Sequence, residues 1–267
     1  MSSKENSDDL TKLIAGATDA KFPYTGGHCA RVPKVAEMLV DAACKAEEGP
    51  FADFRMDTKD QRWEFEVAAW LHDGGKVTTP EYVVDKATKL ETIYNRIHEI
   101  RMRLEVLLRD AKIATYQKRL AGDVDEFLLE AQLAKEKKQI SDDFAFVAAC
   151  NIDGEFMVDE KIERLEQIAI RTWTRHLDDR IGISNDEAVL KNNTLAPTLP
   201  VIEQVLADKP EHIIPRTNSK PFDDNPHGFK MDIPENQYNL GELYNLGIRK
   251  GTLSPEDRFK INEHIII

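Results

Sequence analysis

Apolar residues in this chain recur at intervals of three and four and almost never in strict alternation, which directs it towards helices packed on helices. Leu10, Leu13, Ile14 and Ala17 form one stripe. Val32, Val35, Ala36, Leu39 and Ala43 form a second after Gly26-Gly27, and Trp63, Val67, Trp70 and Leu71 form a third that ends at Gly74-Gly75. From Glu91 the texture changes to Glu, Lys, Arg, Leu and Ala, with Ile93, Ile97, Ile100, Leu104, Leu107 and Ala111 at helical spacing. Gly122 is placed to break residues 91–149 into a helical hairpin. A further amphipathic helix is expected over 158–179 through Ile162, Leu165, Ile168 and Trp173. Residues 192–236, rich in Pro and Asn, read as extended loop. A last helix is expected from Ser254-Pro255-Glu256, where Ser suits an N-cap and Pro the first turn.

The fold class predicted is therefore all-α. With 267 residues and 41% hydrophobic content the chain has material for a core. A net charge of −12 excludes a general binder of nucleic-acid polymers, which works by neutralising phosphates. It does not exclude a phosphate substrate, because bound divalent cations can dominate the local field. Three cysteines without a CxxC pair give no disulfide framework and point to a reducing compartment. No apolar run is long enough to span a membrane, and the polar start MSSKENSDD is unlike a signal peptide; a cytoplasmic location is the expectation.

The chemistry-bearing stretch is Trp70 to Lys76, WLHDGGK. His72 and Asp73 set an imidazole beside a hard carboxylate at a helix end. Such a pair can ligate one metal, and the second carboxylate oxygen can reach another. Taken alone, the dipeptide is more often a helix-end histidine beside a solvated carboxylate than a metal site. The two glycines let the backbone turn closely, and Lys76 can neutralise phosphate charge. TGGHCARV places His28 just before an apolar stripe, at the start of a second helix. His98 and His176 fall on polar faces of expected helices and read as solvated. His212 and His227 lie in the Pro-rich segment without ligand-like spacing.

TGGHCARV followed by AAWLHDGGKVTTPEYVVDKATKL resembles the HD superfamily of metal-dependent phosphohydrolases, and within it the HD-GYP class. The elements that carry the likeness are His28, Arg31-Val32, Leu71 to Lys76, Pro80, Lys86 and Leu90. The class runs directly from that Lys-Leu segment into a helix ending in another ligand histidine. Here the matching piece comes much later, as RKGTLSPEDRFKINEHI, with His264 in the ligand position. The resemblance thus implies an HD-type helical bundle interrupted by a largely helical insertion. Residues 1–90 form the first part of the core, 91–240 the helical and Pro-rich insertion, and 241–267 the resumed core. The adjacent His pair, the Gly-Tyr-Pro segment and the late ligand Asp of the class do not occur. The uncapped apolar ending EHIII leads to the expectation of a truncated polypeptide.

By resemblance, His28, His72, Asp73 and His264 hold two or three divalent ions, iron or manganese, with Asp73 bridging and Asp19 a weak candidate for a third. Asp73 and Lys76 are the implied catalytic residues, Lys76 on phosphate. The implied reaction is hydrolysis of a cyclic dinucleotide, cyclic di-GMP, to a linear one. The incomplete ligand set implies poor metal binding or an inactive fragment, with room for a sensor domain upstream in a full-length protein. Two rivals stand beside it. One is an HD-type nucleotide or (p)ppGpp phosphohydrolase, and the other a catalytically silent regulatory module that docks a partner through its charged helical block.

Overall fold

A computed structural model describes residues 3–21, 27–122, 125–152, 156–216, 228 and 230–265, the side chains of 3–7 and of 264 excepted. The chain is mostly helical. In order it forms α1 (Ser3–Lys21), α2 (His28–Cys44), α3 (Lys59–Leu71), α4 (Glu81–Val84), α5 (Ile97–Ala121), α6 (Glu126–Asn151), α7 (Asp159–Ala169), β1 (Thr172–Arg175), α8 (Asn185–Asn192), β2 (Val201–Gln204), β3 (Ile213–Pro215), β4 (Asn236–Asn239), α9 (Glu242–Leu246) and α10 (Pro255–Asn262). No helix among the described residues is long and apolar enough to cross a membrane. The fold divides into two compact units, Met1–Val84 with Lys260–Ile267, and Asp85–Phe259.

In the first unit α1, α2 and α3 pack against one another. A reciprocal cap starts α3. The Gln61 N–H donates to Thr58 Oγ1 at 3.1 Å, and the Thr58 N–H donates to Gln61 Oε1 at 3.1 Å. The Trp63 indole N–H, donating to Asp8 Oδ1 at 2.7 Å, ties α3 to α1. The helices lie where the spacing predicts, but their buried faces differ from the apolar stripes. Helix α1 buries Thr11, Ala15 and Thr18, and leaves Leu10 and Leu13 more than half exposed. Helix α2 buries Cys29, Pro33 and Val40, and exposes Val35, Met38 and Leu39. Small side chains permit close helix–helix approach. The Thr18 hydroxyl is satisfied by donating to the Ile14 carbonyl at 3.1 Å, so its burial leaves no unpaired donor.

The second unit is built on an α5–α6 hairpin. Gly122, at φ 80°, ends α5 in a conformation that favours glycine, and the Asp125 carboxylate caps α6 by accepting from the Leu128 N–H at 3.2 Å. Ile97, Ile100 and Leu104 from α5 meet Ile140, Val147 and Cys150 from α6, Leu165 and Ile168 from α7, and Leu206 and Leu246 in one core. Ile93, counted into the apolar stripe, is solvent-exposed.

Two expectations fail here. The helix expected over 158–179 stops at Ala169, and Thr172–Arg175 pairs antiparallel with Val201–Gln204. Thr-Trp-Thr favours an extended strand, and this local preference outweighs the continuing helical period. The segment 192–236 is not loop throughout, since it contributes β2, β3 and the start of β4. Ile213–Pro215 pairs antiparallel with Asn236–Asn239. The strict all-α expectation is corrected to a mostly helical fold with two small strand pairs.

Within this second unit, segments far apart in sequence are bonded together. Lys86 Nζ donates to Asp257 Oδ2 at 2.7 Å and to Asn245 Oδ1 at 3.3 Å. The Thr252 hydroxyl donates to the Lys86 carbonyl at 2.8 Å. Lys89 Nζ donates to the carbonyls of Leu246 and Ile248 at 3.0 and 2.7 Å. The Lys86–Leu90 segment therefore lies directly beside the stretch from Asn245 to Asp257. Ser254 caps α10 as expected, its hydroxyl accepting from the Asp257 N–H at 3.1 Å.

Candidate metal centre

Helix α2 begins at His28 because Gly27, at φ 72°, turns the chain immediately before it. Helix α3 ends at Leu71, so His72 and Asp73 emerge at its C-terminus, and a tight turn over Gly74–Thr78 follows. The backbone of that turn is pinned by the Lys76 N–H donating to the Asp73 carbonyl at 2.9 Å.

These two helix ends bring three ligating groups together. His28 Nε2 lies 3.2 Å from His72 Nε2 and 3.5 Å from Asp73 Oδ2, while His72 Nε2 lies 3.3 Å from the same oxygen. Bonds of about 2.1 Å from one ion put neighbouring ligand atoms about 3.0 Å apart in an octahedron and about 3.4 Å apart in a tetrahedron. The three observed separations fall at or close to that range. The tautomer of His72 agrees. Its Nδ1 faces the Ala69 carbonyl at 2.8 Å, an acceptor only, so Nδ1 donates to it, the arrangement that leaves Nε2 as the nitrogen available to a metal. The donor set fits a divalent metal: two imidazole nitrogens and one hard oxygen.

Burial is graded across the cluster. The Asp73 side chain is 10% exposed, that of His72 28% and that of His28 42%, so the carboxylate forms the floor and the imidazoles open to solvent. Lys76 Nζ reaches the same oxygen, Asp73 Oδ2, at 2.9 Å. Asp19 sits next to the cluster, its Oδ1 accepting from the Cys29 N–H at 3.5 Å. Burial, then the hydrogen bond to Asp19, push the Cys29 thiol up to about 11.

Of the residues singled out from sequence, His28, His72, Asp73 and Lys76 are thus together. The side chain of His264 lies outside the described residues, but the turn that bears it, Glu263–Ile265, packs against Gly74–Thr78, directly after Asp73. His98 and His176 are exposed as expected, although His176 follows β1 and is not on a helix. His227 lies outside the described residues. His212 is mostly buried, its Nδ1 accepting from the Lys209 N–H at 3.2 Å, and burial pushes it down to about 4. Among the described residues the grouping with metal-ligand geometry is His28, His72 and Asp73.

One contributor escaped the sequence reading. Lys21, at the end of α1, donates from Nζ to the carbonyls of Val77 and Thr79 at 2.5 and 2.9 Å, holding the turn that follows the His-Asp pair. A separation of 56 and 58 residues leaves no local signal for it.

No family model, curated protein or solved structure matches the chain.

Proposed function

We propose that the chain is an HD-type metal-dependent phosphohydrolase of the HD-GYP class, acting on a cyclic dinucleotide and opening cyclic di-GMP to its linear form. The observation that carries the reading is the meeting of His28, His72 and Asp73 at ligand–ligand distances, from residues 44 apart in sequence. On this reading the first unit is the front of an HD bundle, and most of the second is an insertion in it. His28, His72, Asp73 and His264 hold two or three iron or manganese ions. When bound, such ions polarise the phosphate and lower the pKa of water. The protein's own share is positional. The Ala69 carbonyl fixes the His72 tautomer, the buried floor orients Asp73, and the exposed imidazoles leave room for a phosphodiester. Lys76 contributes an ammonium for a phosphate oxygen.

The three ligands in place are those shared with HD nucleotidases and (p)ppGpp hydrolases, so these substrates belong in the same test. Purified protein is incubated with manganese(II) and, separately, cyclic di-GMP, (p)ppGpp or deoxynucleoside monophosphates, and products are resolved by chromatography. Bound manganese is expected, lost in His72→Ala and Asp73→Ala, with linear dinucleotide from the first only as far as the incomplete ligand set supports turnover. Manganese retained at full stoichiometry by Asp73→Ala would sink the metal assignment. Hydrolysis of (p)ppGpp or a monophosphate alone would replace the substrate, and a chain that holds no iron or manganese would favour a silent regulatory module.

A further inference from the structure

We infer that Lys76 is a built-in counter-cation of the metal centre, which holds Asp73 when no metal is bound and sets how tightly a metal binds. The inference rests on the metal assignment above and adds a determinant of affinity to it.

The geometry turns on one atom. Asp73 Oδ2 is the point on which both imidazoles converge, at 3.5 and 3.3 Å, and Lys76 Nζ approaches that same oxygen to 2.9 Å. Asp73 is 7% exposed and sits on a fixed helix end, so it cannot turn away to separate the two uses of its carboxylate. Lys76 is different. Its side chain is 26% exposed, and its stem gives it freedom to leave. An ion bonded to Oδ2 at about 2.1 Å lies at most about 5 Å from an ammonium that stays 2.9 Å from that oxygen, in whatever direction the ion sits. A single and a double positive charge at that range weaken binding roughly tenfold even in the dielectric of water, and more at a partly buried site. Metal binding therefore has to move Lys76 off Oδ2 or bear that repulsion. An ammonium moved off Oδ2 stands beside the metal centre and is released towards an incoming anion.

A merely structural lysine predicts the opposite sign. If Lys76 only braces the Gly74–Thr78 turn through Asp73, its removal loosens the ligands and weakens metal binding.

The test uses the whole chain and manganese(II) alone. Binding constants are measured by calorimetry for the unmodified protein, Lys76→Met and the charge-retaining Lys76→Arg, and each is melted with and without the metal. Lys76→Met is expected to bind manganese about tenfold more tightly. It should lose thermal stability without the metal and show a larger rise in Tm when the metal is added. Lys76→Arg is expected to bind no more tightly than the unmodified chain. If Lys76→Met fails to fold, Lys76→Gln removes the same charge and carries the same comparison. Equal or weaker binding by the neutral variant overturns the counter-cation role and leaves the metal assignment standing. No binding by either the unmodified chain or the neutral variant overturns the metal assignment, and the counter-cation role with it.

Discussion

Replacing Asp257 with Ala isolates the contact that joins Lys86 to the stretch from Asn245 to Asp257. The Lys86 and Asp257 side chains are only 5% and 10% exposed and meet at 2.7 Å. Without the carboxylate, the buried Lys86 ammonium keeps one side-chain acceptor, Asn245 Oδ1 at 3.3 Å. Removing one partner of a buried ion pair costs about 3–5 kcal/mol, because the remaining charge is stranded away from water. Loss of the bond from the Ser254 N–H to Asp257 Oδ2, at 3.1 Å, acts in the same direction. The double change Lys86→Met with Asp257→Leu removes both charges, and is expected to return to within about 1–2 kcal/mol of the unmodified protein. Trp173 lies in the second unit, and Trp63 and Trp70 in the first. Urea unfolding followed by fluorescence in a Trp63→Phe/Trp70→Phe background therefore reads the second unit alone. A loss below about 1 kcal/mol for Asp257→Ala, or a double variant no better than the single, refutes the reasoning.

Two further outcomes are expected. His212 has its pKa lowered from 6.5 to about 4 by burial, so the folded state binds fewer protons than the unfolded state between those values. Stability of the second unit should then be intact above pH 6.5 and fall by up to about 3 kcal/mol as the pH drops towards 4. His212→Gln should flatten that slope in urea titrations taken across the range, and an unchanged slope would assign it to other groups. Gly27→Ala places a Cβ at φ 72° and 3.5 Å from Arg31 Nη1, costing about 1 kcal/mol by thermal melting. An unchanged Tm there would show that the start of α2 tolerates a side chain in that conformation.

The helices were legible because their period is a property of the sequence alone, and Gly122 and Ser254 mark ends that the structure uses. Which face each helix buries was not legible in the first unit. Burial there follows how closely the helices approach, and Thr11, Ala15 and Thr18 fit where Leu10 and Leu13 do not. The strands escaped for a different reason. Four residues such as Thr172–Arg175 give no alternation long enough to detect, and their partners lie some 30 residues on. In the candidate site, the adjacency of His72 and Asp73 was visible in the sequence. Its meeting with His28 was suggested only by resemblance to a family. The bracing by Lys21 depends on how α1 docks, which nothing local encodes, and the neighbouring carboxylate of Asp19 was suggested only by resemblance to a family.

The bonds between Lys86 and Asp257 also set an order of events during synthesis. These residues are 171 positions apart. At roughly 5–20 residues per second, translation takes on the order of 10–30 seconds to supply the partner of Lys86. During that interval the nascent chain carries the ammonium groups of Lys86 and Lys89 and the side chain of Leu90 in solvent, with their acceptors and much of their cover still unmade. The first unit waits as well, since Glu263–Ile265 packs beside the Gly74–Thr78 turn. Folding from the N-terminus forward therefore leaves these contacts of the two units unmade until Asp257 and Glu263–Ile265 emerge. A pause in translation before Asp257 would expose the chain to chaperones and proteases at its least protected stage.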